Sequence, residues 1–167
     1  MKPDSNISDF EIRPAGIDDL APIFHLGEEL FRADAVSSLY RTWDEFAVTS
    51  QFNAEPEFML VAADMQDQVV GFAIGSMIEK AATAWNYGHL IWLGVRPDFG
   101  SKGVGSALFD AFRDVIREHG VRMMLVDTQA DNEGAIRFFE NKGFTNPIGH
   151  IYMTLNLGST DHGNDTT

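Results

Sequence analysis

Val95-Arg96-Pro97-Asp98-Phe99-Gly100-Ser101-Lys102-Gly103-Val104-Gly105-Ser106-Ala107-Leu108 is the stretch on which the reading of this chain turns. It begins at the end of a β-rich apolar run, Tyr87 to Val95, which Pro97 stops. It ends inside a run at helical spacing, Val104, Ala107, Leu108, Ala111, Phe112, Val115 and Ile116, that closes at His119-Gly120. A strand, a glycine-rich loop and a helix of about four turns therefore follow one another directly. Such a loop can aim backbone N–H groups at an anion while the helix dipole adds positive potential. Glycines remove the Cβ atoms that would obstruct the approach. Two familiar phosphate loops fit poorly. The nucleoside-triphosphate loop needs Gly-Lys followed by Ser or Thr, but Lys102 is followed by Gly103. The dinucleotide fingerprint needs a glycine where Leu108 stands, at the start of a βαβ unit rather than after hairpin strands.

Upstream, Phe58 to Ala63 and Val69 to Ile78 are β-rich runs joined by the polar Asp64 to Gln68, which predicts an antiparallel hairpin. Phe10 to Arg13 suits a short first strand. Leu20, Ile23, Phe24, Leu30 and Phe31 keep helical spacing behind Asp18 and Asp19, with Pro22 in the first turn where it sacrifices no backbone bond. Thr42-Trp43-Asp44-Glu45 has capping-box spacing and predicts a second, shorter helix. Downstream, Val121 to Thr128 reads as a buried strand, Glu133 to Lys142 as a helix closed by Gly143, and Ile151 to Leu157 as a last strand of alternating pattern. The sum is an α/β chain with a hairpin-led mixed sheet and helices packed on it.

With 167 residues, 44% of them hydrophobic, the chain has material for one ordinary core. The expectation is a single domain over 1–157 followed by a flexible polar tail, 158–167. No apolar run is long enough to span a membrane, and Met1 to Asp9 is polar and acidic rather than a leader, so a soluble, cytoplasmic chain is expected. The absence of cysteine excludes disulfides, thiolate metal sites and a cysteine nucleophile. His25, His119, His150 and His162 lack ligand spacing, so no metal is expected. Twenty-five acidic against twelve basic residues, a formal charge of −13, repel nucleic acid and favour a cationic partner such as an amine.

The loop resembles the cofactor motif of the GNAT superfamily of N-acetyltransferases: a strand end, a proline, then Arg/Gln-x-x-Gly-x-Gly/Ala opening a helix. Asn132-Glu133-Gly134-Ala135-Ile136-Arg137-Phe138-Phe139-Glu140-Asn141-Lys142-Gly143-Phe144 is similar to the family's Asn-x-x-Ala, aromatic, Gly-Phe block, and Ile12-Arg13-Pro14-Ala15 with Asp19 and Leu20 to its usual opening. The resemblance runs in order over about residues 11 to 157. It implies a mostly antiparallel sheet of six to seven strands with a splayed pair, flanked by about four helices. It also implies acetyl-CoA as co-substrate and a small-molecule or peptide amine as acceptor.

By the same resemblance, the backbone of Leu93, Gly94 and Val95 would pair with the pantetheine amides, with a bulge at Gly94. Gly100, Ser101, Lys102, Gly103, Val104, Gly105 and Ser106 would surround the pyrophosphate, Lys102 adding charge and Gly100 keeping only a backbone donor where the family carries Arg or Gln. Asn132 would bond the pantetheine arm. Phe139, seven residues later, stands where many members place the tyrosine that protonates the leaving sulfur. Asp127, at the end of the strand before Asn132, matches a carboxylate of certain relatives and is the first candidate for general base, with Glu79, His89 and Tyr87 in reserve. The implied reaction is direct attack in a ternary complex. The alternatives are a non-catalytic acyl-CoA-binding module, suggested by Phe139 and Ile91 at positions usually given to chemistry, and an acetyltransferase of protein N-termini or lysines. Acceptor choice would lie in Arg32 to Pro56 and Lys80 to Asn86, and a homodimer would form through Ile151 to Leu157.

Overall fold

The computed structural model describes residues 9–31, 43–79, 86–151, 153 and 155. In chain order the elements are β1 (Phe10–Pro14), α1 (Leu20–Leu30), α2 (Glu45–Ala54), β2 (Met59–Asp64), β3 (Val69–Glu79), β4 (Asn86–Val95), α3 (Val104–Glu118), β5 (Met123–Val126) and α4 (Glu133–Asn141). Packing divides the chain into two compact units, Met1–Asp127 and Thr128–Thr167. The expected segments 32–42 and 80–85 and the tail 158–167 lie outside the described residues.

The first unit is a five-stranded sheet in the order β1-β2-β3-β4-β5, antiparallel except for the parallel β4–β5 pair. The hairpin forms as its polar connection predicts. The Asp64 carboxylate accepts from the Gln66 and Gln68 amides at 2.9 Å each, and Asp67 takes a left-handed conformation that short polar side chains tolerate. One face carries Met59, Val61, Phe72 and Ile74 against Ile23 and Leu26 of α1 and Val48 of α2. Gly27 lets the Trp43 indole lie on α1, since a Cβ there would meet the ring within 2.5 Å. The indole N–H donates to the Phe24 carbonyl at 2.9 Å. The other face takes α3, which buries Val104, Leu108, Phe109, Phe112 and Ile116, each side chain stabilising the fold by about 1.5–3 kcal/mol relative to exposure.

At the edge of the sheet, Arg13 donates to both carboxylate oxygens of buried Asp19, at 2.6 and 3.0 Å, and to Asp67 at 3.1 Å. The Gly16 amide adds a bond to Asp19 at 2.7 Å. Hydrogen bonds from Arg13, more than any other influence, hold the Asp19 carboxyl below its ordinary range, and Asp19 in turn holds Arg13 protonated. The family-like opening thus has a structural use in fixing β1 to the turn before α1.

The sequence expectations need correction at several points. The second helix is capped by Asp44, whose carboxylate accepts from Ala47 N at 2.6 Å, rather than starting at Thr42. The strand within Val121 to Thr128 is only Met123–Val126, and Met123 and Leu125 are exposed rather than buried. Five strands of the expected mixed sheet lie among the described residues. Ile151, Met153 and Leu155, the described part of the expected last strand, are not in a strand and are exposed. In the second unit α4 forms as expected and Gly143 ends it in the left-handed conformation.

Candidate active site

β4 changes partners along its length. From Tyr87 to Leu90 it pairs with both neighbours, the last register with β5 being Leu90↔Val126. Beyond that point Leu93, Gly94 and Val95 pair with Ala73, Phe72 and Gly71 of β3 and with no strand on the other side among the described residues. The sheet therefore forks at Leu90. Ile74 faces Trp92 while Gly75 faces Leu90, so Ile91 is the extra residue of a β-bulge at the fork. The bulge lies three residues before Gly94, where it was expected. Gly94 has another cause: a Cβ there would meet the Phe72 ring at 2.8 Å and Leu30 at 2.9 Å, so its smallness serves the α1-side core.

The open half of β4 runs into the glycine loop. Arg96 N donates to Val70 O at 2.8 Å and anchors the exit, and a single 3-10 turn, Pro97–Phe99, follows. The Gly100 and Lys102 amides donate to Pro97 O and Phe99 O at 3.1 and 3.0 Å, which corrects the expectation that both point at the ligand. Gly103 caps α3 at φ 80°, a conformation that costs other residues about 1–2 kcal/mol. The first α3 bond is Ala107 N to Gly103 O, so the amides of Ser101, Gly103, Val104 and Gly105 donate to nothing among the described residues. Val104 and Gly105 open a 15-residue helix, Gly103 is its N-cap and Ser101 lies just before it, at the end where the dipole is positive.

Two cations belong to the same loop. Arg96 and Lys102 lie over the Phe99 ring, at 4.7 and 4.2 Å from its centroid. Arg96 is also paired with Asp98 at 2.7 and 3.1 Å, which raises its pKa and lowers that of exposed Asp98. The Lys102 ammonium stands 3.3 Å from Asp9, so its charge is shared rather than reserved for a ligand. Arg96, and Phe99 as the common platform of the two cations, were not among the residues expected from the sequence to serve the site. The only sequence signal was their place in the motif.

At the fork, His89 Nε2 and Asp127 Oδ1 are 2.8 Å apart. Asp127 is the first residue after β5, and His89 pairs with Leu125 of β5 and Ser76 of β3. The Gly88 Cα faces Ile116 of α3, so by strand alternation His89 projects to the opposite, α1-side face. The other reserve residues are not brought to this pair: Glu79 ends β3 opposite Asn86, and Tyr87 starts the parallel pairing opposite Met123. On α1, Glu28 pairs with His25 at 3.2 Å and Glu29 borders a recess lined by Asp18, Asp67 and Arg96. Trp43 and Trp92 pack with Phe31 and Phe72 in the core. No group of metal-ligating side chains occurs among the described residues, and no described helix is long and apolar enough to cross a membrane.

In the second unit, the Asn132 side-chain oxygen accepts from Ala135 N at 3.1 Å, so it serves as the N-cap of α4. Phe139 stacks edge-on with Phe138 and Phe144, at 5.3 and 5.5 Å between centroids. Its ring carries no hydroxyl, the group that the resemblance led one to expect of an acid at this sequence position.

The described geometry matches known proteins. The model of the acetyltransferase (GNAT) family matches residues 23–144. The chain is 30% identical over 89 residues to N-alpha-acetyltransferase 30 of Schizosaccharomyces pombe, covering 53% of this chain and 58% of that one. It is 26% identical over 102 residues to the ribosomal protein bS18-alanine N-acetyltransferase of Escherichia coli, covering 61% and 64%. The matched stretch thus spans less of either relative than its full length. Among solved structures, Ard1 from Thermoplasma volcanium matches with TM-score 0.67 at 26% identity, over 82% of this chain and 83% of that one. An aminoglycoside acetyltransferase from an uncultured soil metagenomic sample matches with TM-score 0.71 at 18% identity, over 91% and 100%, a likeness of fold alone. Since the family match runs through the sheet, its fork and the glycine loop, the chain belongs to the acetyltransferase (GNAT) family.

Proposed function

We propose that this chain transfers the acetyl group of acetyl-CoA to a primary amine by direct attack in a ternary complex. One observation carries the reading: the half of β4 left without β5 leads into a loop whose Ser101, Gly103, Val104 and Gly105 amides have no acceptor among the described residues. A pantetheine arm laid along Leu93 to Val95 extends the sheet by its own amides, and the pyrophosphate meets the α3 N-terminus with Arg96 and Lys102 beside it. A β4 N–H at the open edge stabilises the oxyanion. The net charge of −13 draws a cationic acceptor toward the protein.

Phe139 offers no proton, so the sulfur leaves as thiolate and takes its proton from the product nitrogen or from water. The names of N-alpha-acetyltransferase 30 and of the ribosomal protein bS18-alanine N-acetyltransferase specify an α-nitrogen and a protein alanine, which supports a peptide α-amine as the first acceptor to try. The test is a screen of short peptides, polyamines, aminoglycosides and amino acids with acetyl-CoA, detecting released thiol and acetylated product. Amine-dependent thiol release is the expected result. Acetyl-CoA binding without transfer to any amine contradicts the reading and favours the acyl-CoA-binding module that Phe139 suggests.

A further inference from the structure

The proposed transfer still needs an agent to take a proton from the acceptor ammonium. We infer that the His89 and Asp127 pair takes it up as one unit, the imidazole being the titrating base and Asp127 its positioning residue. This rests on the acetyl-transfer reading above.

The two side chains are 38 residues apart in sequence and 2.8 Å apart in space, and they meet where β4 and β5 part company. Neither is sealed in the core: the His89 side chain is 18% exposed and that of Asp127 37%. An ordinary imidazole titrates near pH ~6.5, where a base for neutral solution is wanted, whereas an ordinary carboxylate near ~4 is a poor acceptor for an ammonium proton. A carboxylate at hydrogen-bond distance stabilises the imidazolium that forms and fixes the ring's orientation. The chemistry thus exchanges the roles expected from sequence, in which Asp127 was the base. Among the described residues, the ionisable groups on the neighbouring elements are the Tyr87 phenol, two residues back on β4, and Glu55 just after α2. Glu55 Oε1 accepts the Met77 amide, at 3.2 Å, next to His89's partner Ser76. Glu79 closes β3 further along.

The proton balance is complete without any other reagent. One proton passes from the ammonium to the pair, and the freed nitrogen lone pair attacks the thioester carbonyl. The C–N bond forms, the tetrahedral intermediate collapses and the C–S bond breaks. The second proton leaves the amide nitrogen with the departing sulfur, and the pair returns its own proton to solvent.

His89→Gln separates this role from a structural one, because a glutamine amide can still donate to Asp127 and keep the strands tied, but cannot titrate. The experiment compares pH profiles of kcat/KM for the wild type, His89→Gln and Asp127→Asn, with thermal unfolding as a check on folding. Wild-type activity rises with pH through a limb in the histidine range. His89→Gln loses about 10²-fold in kcat, keeps its KM for acetyl-CoA and loses the limb. Asp127→Asn keeps the limb but moves it to lower pH, since the imidazolium has lost its carboxylate. His89→Gln with the limb intact and kcat within about twofold of wild type, well below the effect of losing a general base, overturns the inference alone. If that variant does not fold, an unmoved limb in Asp127→Asn overturns it. A wild type that transfers acetyl to no amine overturns the parent reading and this one together.

Discussion

The two halves of β4 are built from the same strand and answer to different demands. From Tyr87 to Leu90 the strand is held on both sides, by β3 and by β5, and its notable side chain, His89, is fixed by Asp127 from across the sheet. From Leu93 to Val95 it is held by β3 alone, and what it offers is backbone. Stability and side-chain chemistry belong to the closed half, and ligand capacity to the open half and the loop it feeds. The bulge at Ile91 marks the change between them.

The comparison can be broken by substitutions that strike one property and spare the other. The largest effect is expected at Gly105, in the first turn of α3. A Cβ there would stand 3.5 Å from Val95, an ordinary contact, so Gly105→Asp is accommodated and its charge suits a helix N-terminus. The same carboxylate faces the expected pyrophosphate. Acetyl-CoA affinity, measured by calorimetry, should fall by about 100-fold while the unfolding midpoint holds or rises slightly, because like charges brought together cost several kcal/mol. Gly94→Val should do the reverse. Its side chain would collide with Phe72 and Leu30, and denaturant unfolding should show a loss of about 2–3 kcal/mol, typical of overpacking.

Smaller effects sharpen the picture away from the fork. Asp19→Asn removes the charged partner of Arg13 and should cost about 1–2 kcal/mol, discounted because Arg13 is partly exposed. The pH dependence has a definite sign. The Asp19 carboxyl titrates lower folded than its ordinary 3.8, so its contribution is fully present above that value and is lost as pH falls through the lower folded one. Wild type and Asp19→Asn should therefore converge in stability on acidification. Lys102→Ala should weaken acetyl-CoA only about threefold, since the ammonium is partly exposed and already shared with Asp9 and Phe99, and the difference should shrink with added salt.

What the sequence made legible was local. The hairpin, β4, α1, α3 and α4 follow from periodicity and turn residues within a short window, and the observed ends differ from the expected ones by a residue or two. The loop was legible for the same reason, as its glycines announce close approach and a left-handed cap. Non-local facts were not. The fork depends on β5 arriving parallel to β4 and stopping at Val126, and a bulge at Ile91 leaves no mark in composition. His89 and Asp127 become a pair only once that parallel strand is in place. Gly94 was read as the place of a bulge, when the contacts that require a glycine there come from Phe72 and Leu30. Which loop amides remain available could not be read either, because Gly100 and Lys102 look equivalent to their neighbours until the turn at Pro97–Phe99 claims them.

The account depends most on the amides of the open half and its loop. The direct measurement is an amide-resolved NMR titration of the protein with coenzyme A. Saturable shifts concentrated at Leu93 to Val95 and at Ser101, Gly103, Val104 and Gly105, with Tyr87 to Leu90 little moved, are the predicted result. Saturation with shifts centred elsewhere, or no binding at millimolar coenzyme A, contradicts it.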